Sequence, residues 1–136
     1  NYWFLQVGSE KVKSQVVCEV KINRQDFAKL GEKGKGKILV IDTVEDVKKL
    51  RSKYGMVKKT KEDKKGYTLI DFGKLSENYS GIEFRNYRSI SKKLKGNKNI
   101  TMDKYGWYYM IDVNSGCVWD LSLIEVTQKG KLKDFV

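Results

Sequence analysis

The sequence predicts a single soluble α+β domain with a mixed or mainly antiparallel sheet and two or three short helices. Short apolar runs of strand character alternate irregularly with short helical patterns, which a doubly wound parallel sheet would not produce. Of the 136 residues, 40% are hydrophobic and 12% aromatic, which is enough for one folded core. No linker divides residues 1–136, so we expect one basic globular domain.

Two apolar runs near the start of the sequence predict strands. The first covers residues 2–7. In the second, residues 16–22, polar and apolar side chains alternate, so we expect a half-buried strand with Cys18 facing the core. Asn23 is a good N-cap, and it predicts a helix of two turns at most.

A buried strand followed by a helix is the clearest local pattern in the sequence. The apolar run at residues 37–41 predicts the strand. Asp42 or Thr43 is the N-cap, Glu45 completes a capping box with Asp42, and Gly55 ends the helix. The predicted apolar stripe of this helix consists of Val44, Val47, Leu50 and Tyr54.

The middle of the sequence predicts further short elements separated by charged loops. Residues 67–71 form a strand, Phe72, Leu75 and Tyr79 follow at helical spacing, and residues 81–84 form a second strand. We expect that strand to continue irregularly through residues 86–88. The charged, glycine-containing loops are predicted at residues 31–37, 58–66 and 92–99.

An aromatic hairpin is predicted near the C-terminus. Residues 107–113 form its first strand, Asn114-Ser115-Gly116 the turn, and residues 117–119 the second strand. Because aromatic side chains occur on both faces of the first strand, we expect it to be the central strand of the sheet. Residues 121–126 close the fold, and residues 128–136 form a tail that frays.

The net charge of +11 is the strongest feature of the composition, and it has two interpretations. A basic surface concentrates polyanions, whereas a lysine-rich composition also arises from an AT-rich genome without a nucleic-acid partner. Only four of the 28 basic residues are arginine, whereas proteins that read base sequence usually rely on arginine. The pattern typical of nucleic-acid contact, basic residues interleaved with aromatic ones, occurs at residues 84–98. The predicted phosphate-contacting residues are Arg85, Tyr87, Arg88, Lys92, Lys93 and Lys95.

The absence of histidine excludes Ser-His-Asp and Cys-His catalysis and histidine-metal sites. With only Cys18 and Cys117 available, far apart in sequence, we expect neither a metal nor a cofactor. The two cysteines are either one disulfide or two free core thiols in a reducing compartment, and the second interpretation is favoured. No apolar run reaches the length of a membrane span, and the first residues lack the features of a signal peptide, so we expect an intracellular protein without a membrane partner.

Three carboxylates stand between apolar neighbours: Glu19, Glu83 and Asp112. The favoured interpretation is a solvent-facing side chain in an alternating strand. The alternative is a carboxylate held in a cleft for ligand binding or acid–base chemistry, with Arg85, Arg88 or Tyr87 as the partner of Glu83.

Residues 37–126 resemble small uncharacterised domains of phages and large DNA viruses. The resemblance lies in a Tyr-x-Gly-Ile-Glu step ending at Glu83, and in a Ser-Gly-Cys-aliphatic-Trp close ending at Trp119. It implies a viral or phage accessory protein and brings no activity with it.

The order of segments is also similar to the C-terminal half of ADP-ribosyltransferase-like folds. There, a Tyr-x-Gly-Ile strand is followed by an apolar-Asp strand and a Ser-x-Ile segment. This resemblance implies NAD as the cofactor and a catalytic glutamate, for which Glu83 and Glu125 are the candidates. The chain departs from that pattern, since residues 2–7 lack the expected arginine or histidine and no Ser-Thr-Ser motif occurs.

Three classes of function therefore stay open. The chain is a basic module that contacts nucleic-acid phosphates without strong sequence specificity, an ADP-ribosyltransferase-like enzyme or its inactive relative, or an accessory protein that binds a host protein through an aromatic surface. The first class is the prediction, and the other two are the alternatives.

Overall fold

The computed structural model describes the backbone of residues 2–5 and 16–131 and the side chains of residues 18–131. The predicted α+β class with a mixed sheet is confirmed. Within the chain, residue contacts form two compact units: a central unit of Phe27–Asp120, and a terminal unit of Asn1–Asp26 with Leu121–Val136. Among the described residues, no helix has the length and apolar character needed to cross a membrane.

The central unit is built on a four-stranded mixed sheet with the strand order β3-β4-β7-β8. Its strands are β3 (Phe27–Ala28), β4 (Ile38–Ile41), β7 (Gly81–Phe84) and β8 (Ser115–Val118). β3, β4 and β7 run parallel, and β8 runs antiparallel to β7. β4 and β7 are buried along their whole length, as expected for the inner strands of a sheet with both faces covered.

Four helices and a β-hairpin connect and cover this sheet within the described part of the chain. Their bounds are α1 (Val44–Tyr54), β5 (Gly55–Lys58), β6 (Tyr67–Ile70), α2 (Phe72–Asn78), α3 (Tyr87–Lys95) and α4 (Met102–Tyr109). The helix count exceeds the two or three predicted, because α3 and α4 include residues that were expected to be strand or loop. β5 and β6 pair antiparallel.

The core of the central unit lies between one face of the sheet and the helices. Side-chain alternation places Leu39, Ile41, Ile82 and Phe84 on this face, and all four are buried. From α1, the predicted stripe residues Val47, Leu50 and Tyr54 join the same cluster, at most 1% exposed. The predicted strand–helix pair at residues 37–55 is therefore confirmed.

The N-terminus of α1 is capped by Thr43. Its hydroxyl accepts a hydrogen bond from the Asp46 N–H at 3.1 Å, and the Asp46 carboxylate accepts one from the Thr43 N–H at 3.2 Å. This is a capping box, but its members differ from the predicted pair Asp42 and Glu45. Gly55 ends the helix as predicted.

The terminal unit contains a three-stranded antiparallel sheet with the order β1-β2-β9. Its strands are β1 (Tyr2–Leu5), β2 (Val16–Lys21) and β9 (Glu125–Lys131). The first two confirm the predicted strands as far as the described residues reach. The predicted frayed tail is wrong for residues 128–131, which pair with β2, and its remainder, residues 132–136, lies outside the described residues.

Four other local predictions are wrong in whole or in part. Residues 107–113 are not the central strand: Trp107 to Tyr109 end α4, and Asp112 follows with a φ of 68°. Residues 86–88 and the first half of the predicted loop at 92–99, residues 92–95, belong to α3 or its N-cap. After Asn23, a short 3-10 helix (Arg24–Asp26) leads directly into β3 instead of a two-turn helix.

Both cysteines are free thiols, which is the interpretation favoured from the sequence. Cys18 is buried as predicted, whereas Cys117 is exposed on β8 and does not belong to the core. We therefore expect Ellman's reagent to titrate one thiol per chain in the native protein and both in urea. A Cys117→Ser variant should have no fast-reacting thiol, and rapid reaction of that variant would contradict this assignment.

Candidate nucleic-acid interface

Helix α3 forms because its apolar residues recur at helical spacing. Tyr87, Ile90 and Leu94 stand at positions i, i+3 and i+7, and Ile90 and Leu94 are at most 2% exposed. Asn86 precedes the helix in the left-handed conformation, and its side chain makes no capping hydrogen bond. The Tyr87 N–H donates instead to Oδ1 of Asn114 at 2.8 Å, so the loop before β8 caps this helix.

The solvent face of α3 carries four cations, Arg88, Lys92, Lys93 and Lys95, which we call the basic face. All four residues are exposed, and within the described residues none of them forms an ion pair with a carboxylate. Residues 84–102 contain six of the 28 basic residues of the chain and none of its 17 acidic residues. Over half of the net charge of +11 is thus concentrated in this segment.

Helix stability explains only part of this arrangement. Lys92, Lys93 and Lys95 lie in the last turn, where a cation interacts favourably with the helix dipole. Arg88 lies in the first turn, where the dipole favours an anion, and no acidic residue is present there. A cation in that position costs the helix a small amount of stability, so the helix dipole does not account for Arg88.

An aromatic cluster packs against Tyr87 at the start of α3. Tyr108 of α4 is completely buried, its ring stacks on Tyr87 at 5.1 Å, and Phe84 meets it edge-on at 6.4 Å. The Tyr87 hydroxyl donates to the Tyr109 carbonyl at 3.3 Å. Burial, and then the neighbouring Tyr87 and Tyr109, raise the pKa of Tyr108 above its ordinary value.

Arg85, predicted to contact phosphate, is held within the fold. Its Nε donates to Oε1 of Glu83 at 2.7 Å and its Nη2 to Oε2 at 3.4 Å. The guanidinium also lies 4.7 Å from the ring centre of Phe27. The structure therefore separates the predicted set: Arg88 and the three lysines share one surface, while Arg85 and Tyr87 make contacts within the central unit.

The two candidate catalytic glutamates are in different surroundings. Glu83 is 8% exposed and paired with Arg85, so the solvent-facing interpretation is wrong for it, and Arg85 is the one of the three candidate partners that it contacts. Glu125 is exposed at the start of β9 in the terminal unit. Of the other two carboxylates noted above, Asp112 is exposed and Glu19 lies 3.5 Å from Lys21. Among the described residues, no group of three cysteines or carboxylates has the arrangement of a metal site.

A second ionic cluster, which the sequence did not predict, lies where the parallel strands end. Lys29, directly after β3, donates to the carboxylates of both Asp42, directly after β4, and Asp46 in α1. Burial acts to lower the pKa of Lys29, but the hydrogen bonds and charges of the two carboxylates outweigh it and raise that pKa. The charges and hydrogen bonds of these three groups satisfy one another, so the cluster is an ion-pair network within the fold. We call Lys29, Asp42 and Asp46 the staple.

Comparison with known proteins gives no relative: no protein-family model, curated protein or solved structure matches the chain. Both resemblances drawn from the sequence thus stay predictions, as does binding of a host protein. What the chain can bind follows from its own geometry.

Proposed function

We propose that this protein is a small basic module that binds nucleic acid through its phosphates, using the basic face of α3. The observation that carries the proposal is the set of four exposed cations without carboxylate partners in the described residues, on a segment that lacks acidic residues. Ammonium and guanidinium groups in such a setting attract a chain of phosphates and release its bound counterions.

The composition of the basic face also predicts how selective it is. Three of its four cations are lysines, which act as mobile point charges, and only Arg88 can form a bidentate contact with a base edge. Phosphate contacts fix position on the polymer but carry no base information. We therefore expect binding with little dependence on base sequence.

The test is the salt dependence of binding to a fluorescent DNA duplex of about 20 base pairs, measured by anisotropy. In an Arg88→Gln/Lys92→Gln/Lys93→Gln/Lys95→Gln variant, the slope of log K against log salt should become less negative by about 3.6, because each lost phosphate contact contributes about 0.9. Glutamine is a good helix former, so α3 should persist, and circular dichroism checks this.

A matched control removes four charges elsewhere. Lys59, Lys61, Lys64 and Lys74 are exposed and make no ion pair within the described part of the chain. Their replacement by glutamine should change the slope by less than about 1. Equal losses in the two variants would show that binding reflects net charge alone, and the assignment to α3 would then be wrong.

The NAD-dependent alternative gains no support from the arrangement of its candidate residues, because the carboxylate of Glu83 is already held by Arg85. Quenching of tryptophan fluorescence by NAD that is abolished in a Glu125→Ala variant would support this alternative.

A further inference from the structure

We infer that the basic face takes double-helical nucleic acid in preference to single strands. This inference rests on the proposed function and adds the class of polymer to it. It follows from the burial and contacts of the aromatic side chains near the basic face, and from the spacing of the cations.

The aromatic rings near α3 are buried, stacked on one another or covered by a lysine side chain. In sequence, Phe84 and Tyr87 are interleaved with basic residues, which is the pattern of a base-stacking platform. In the structure, Phe84 is 4% exposed and Tyr87 stacks on the buried Tyr108. The ring of Tyr109 lies 5.7 Å from the Lys95 ammonium, which occupies a face of it.

The basic face therefore offers cations to single-stranded nucleic acid, but no aromatic ring of the described residues that has a free face for base stacking lies between them. Proteins that hold single strands combine a basic groove with exposed aromatic rings, and each stacked base is worth roughly 5- to 150-fold in affinity. Without that contribution, the affinity of the basic face depends on charge density alone.

The spacing of the cations suits the higher charge density of a duplex. Arg88, Lys92 and Lys95 stand at positions i, i+4 and i+7, so they follow one face of α3 over about 10 Å, and Lys93 flanks them. A duplex presents one charge per about 1.7 Å of its axis, whereas a single strand presents about half that charge density, one charge per about 3.4 Å. Over the same length the duplex offers about six phosphates, which is enough for all four cations.

The expected preference can be calculated from counterion release. Each contact contributes about 0.9 to the salt slope on a duplex and about 0.7 on a single strand. With four contacts on each polymer the difference in slope is about 0.8, and for equal affinities at 1 M salt this corresponds to about sixfold tighter binding of the duplex in 0.1 M salt.

The test compares three labelled probes of about 20 nucleotides: a DNA duplex, an RNA duplex and oligo(dT), which does not pair with itself. Each is titrated with the full chain and with the α3 glutamine variant at several salt concentrations between about 0.05 and 0.3 M. We expect either duplex to bind about sixfold more tightly than oligo(dT) in about 0.1 M salt, and this preference to shrink in the variant. The DNA and RNA arms show whether a wide major groove, which A-form RNA lacks, adds to the phosphate contacts.

The two proposals fail in different ways. If oligo(dT) binds as tightly as both duplexes or more tightly, and the glutamine variant still loses that binding, the duplex inference is wrong while the proposed function stands. If no probe binds, or the variant binds every probe as well as the wild type does, the proposed function itself is wrong.

Discussion

Replacement of Arg85 with methionine is expected to lower the free energy of unfolding by about 2 to 3 kcal/mol, because it leaves the buried carboxylate of Glu83 without its partner. Glu83 is only 8% exposed, and both of its oxygens accept hydrogen bonds from Arg85. Loss of one member of a fully buried pair costs about 3 to 5 kcal/mol. The Arg85 side chain is 39% exposed, so water screens the pair and the expected loss is smaller. Urea unfolding followed by circular dichroism measures it.

Two further variants separate the ion pair from other effects of the substitution. Glu83→Met/Arg85→Met replaces both charges with apolar side chains of similar length and should recover stability to within about 1 kcal/mol of the wild type. Arg88→Met removes an exposed arginine from α3 and should change stability by less than about 0.5 kcal/mol. If the double variant is no more stable than Arg85→Met alone, loss of packing rather than an unpaired carboxylate explains the effect.

This ion pair lies outside the basic face, and it is a contact that the sequence could predict. Residues i and i+2 of a strand point to the same side, so Glu83 and Arg85 are neighbours once residues 81–84 are recognised as a strand. The sequence could not show that both faces of that strand are covered. Burial of Glu83 depends on the position of β7 inside the sheet, next to β4, and that pairing joins residues more than forty positions apart.

The sequence does not distinguish helices α3 and α4 from strands, because short apolar runs fit both the helical and the strand period. In the run at residues 107–113, the first five side chains are all large and apolar or aromatic, so they fit the strand period and the helical period equally well. The informative signals lay outside that run. Thr101 followed by Asp103 is a typical helix start, and Tyr87, Ile90 and Leu94 have the spacing of a helix face.

The helical conformation of residues 87–95 determines which side chains of this segment are available for a ligand. As an irregular strand and loop, residues 84–98 would expose aromatic and basic side chains together. As a helix, they place Ile90 and Leu94 in the core and separate the cations from the aromatic rings. The helix thus exposes four of the six predicted contact residues, which are Arg88, Lys92, Lys93 and Lys95. The helical period of the segment determines which four these are.

The staple at the ends of the parallel strands depends on contacts that no local pattern shows. Lys29 reaches Asp42 and Asp46 only because β3 and β4 pair side by side and in parallel. Burial acts to raise the pKa of Asp46, but hydrogen bonds from Lys29, from Asp42 and from Thr43 outweigh it and lower that pKa. Lys29 and Asp46 therefore stabilise the fold only in their charged forms.

The staple predicts a pH-dependent loss in a Lys29→Met variant, which keeps most of the apolar stem and removes the charge. The pKa of Asp46 lies below its ordinary value of 3.8 in the folded chain, so its stabilisation is present above that pH and is lost as the pH falls through the folded value. The pKa of Lys29 lies above 10.5, so its contribution is present below pH 10.5 and is lost as the pH rises through the folded value.

At pH 7 both contributions are present, and we expect Lys29→Met to be less stable than the wild type by about 1.5 to 2 kcal/mol, since Lys29 is partly exposed. The difference in unfolding free energy between the wild type and the variant should shrink as the pH falls below about 4, because protonated carboxyl groups no longer form an ion pair with the ammonium. Lys33→Met, an exposed lysine in the same loop, serves as the control and should be neutral at every pH. Urea unfolding at a series of pH values measures both variants. A deficit in Lys29→Met that is as large at pH values of about 3 as at neutral pH would mean that the stem of Lys29, rather than its charge, holds β3 against α1.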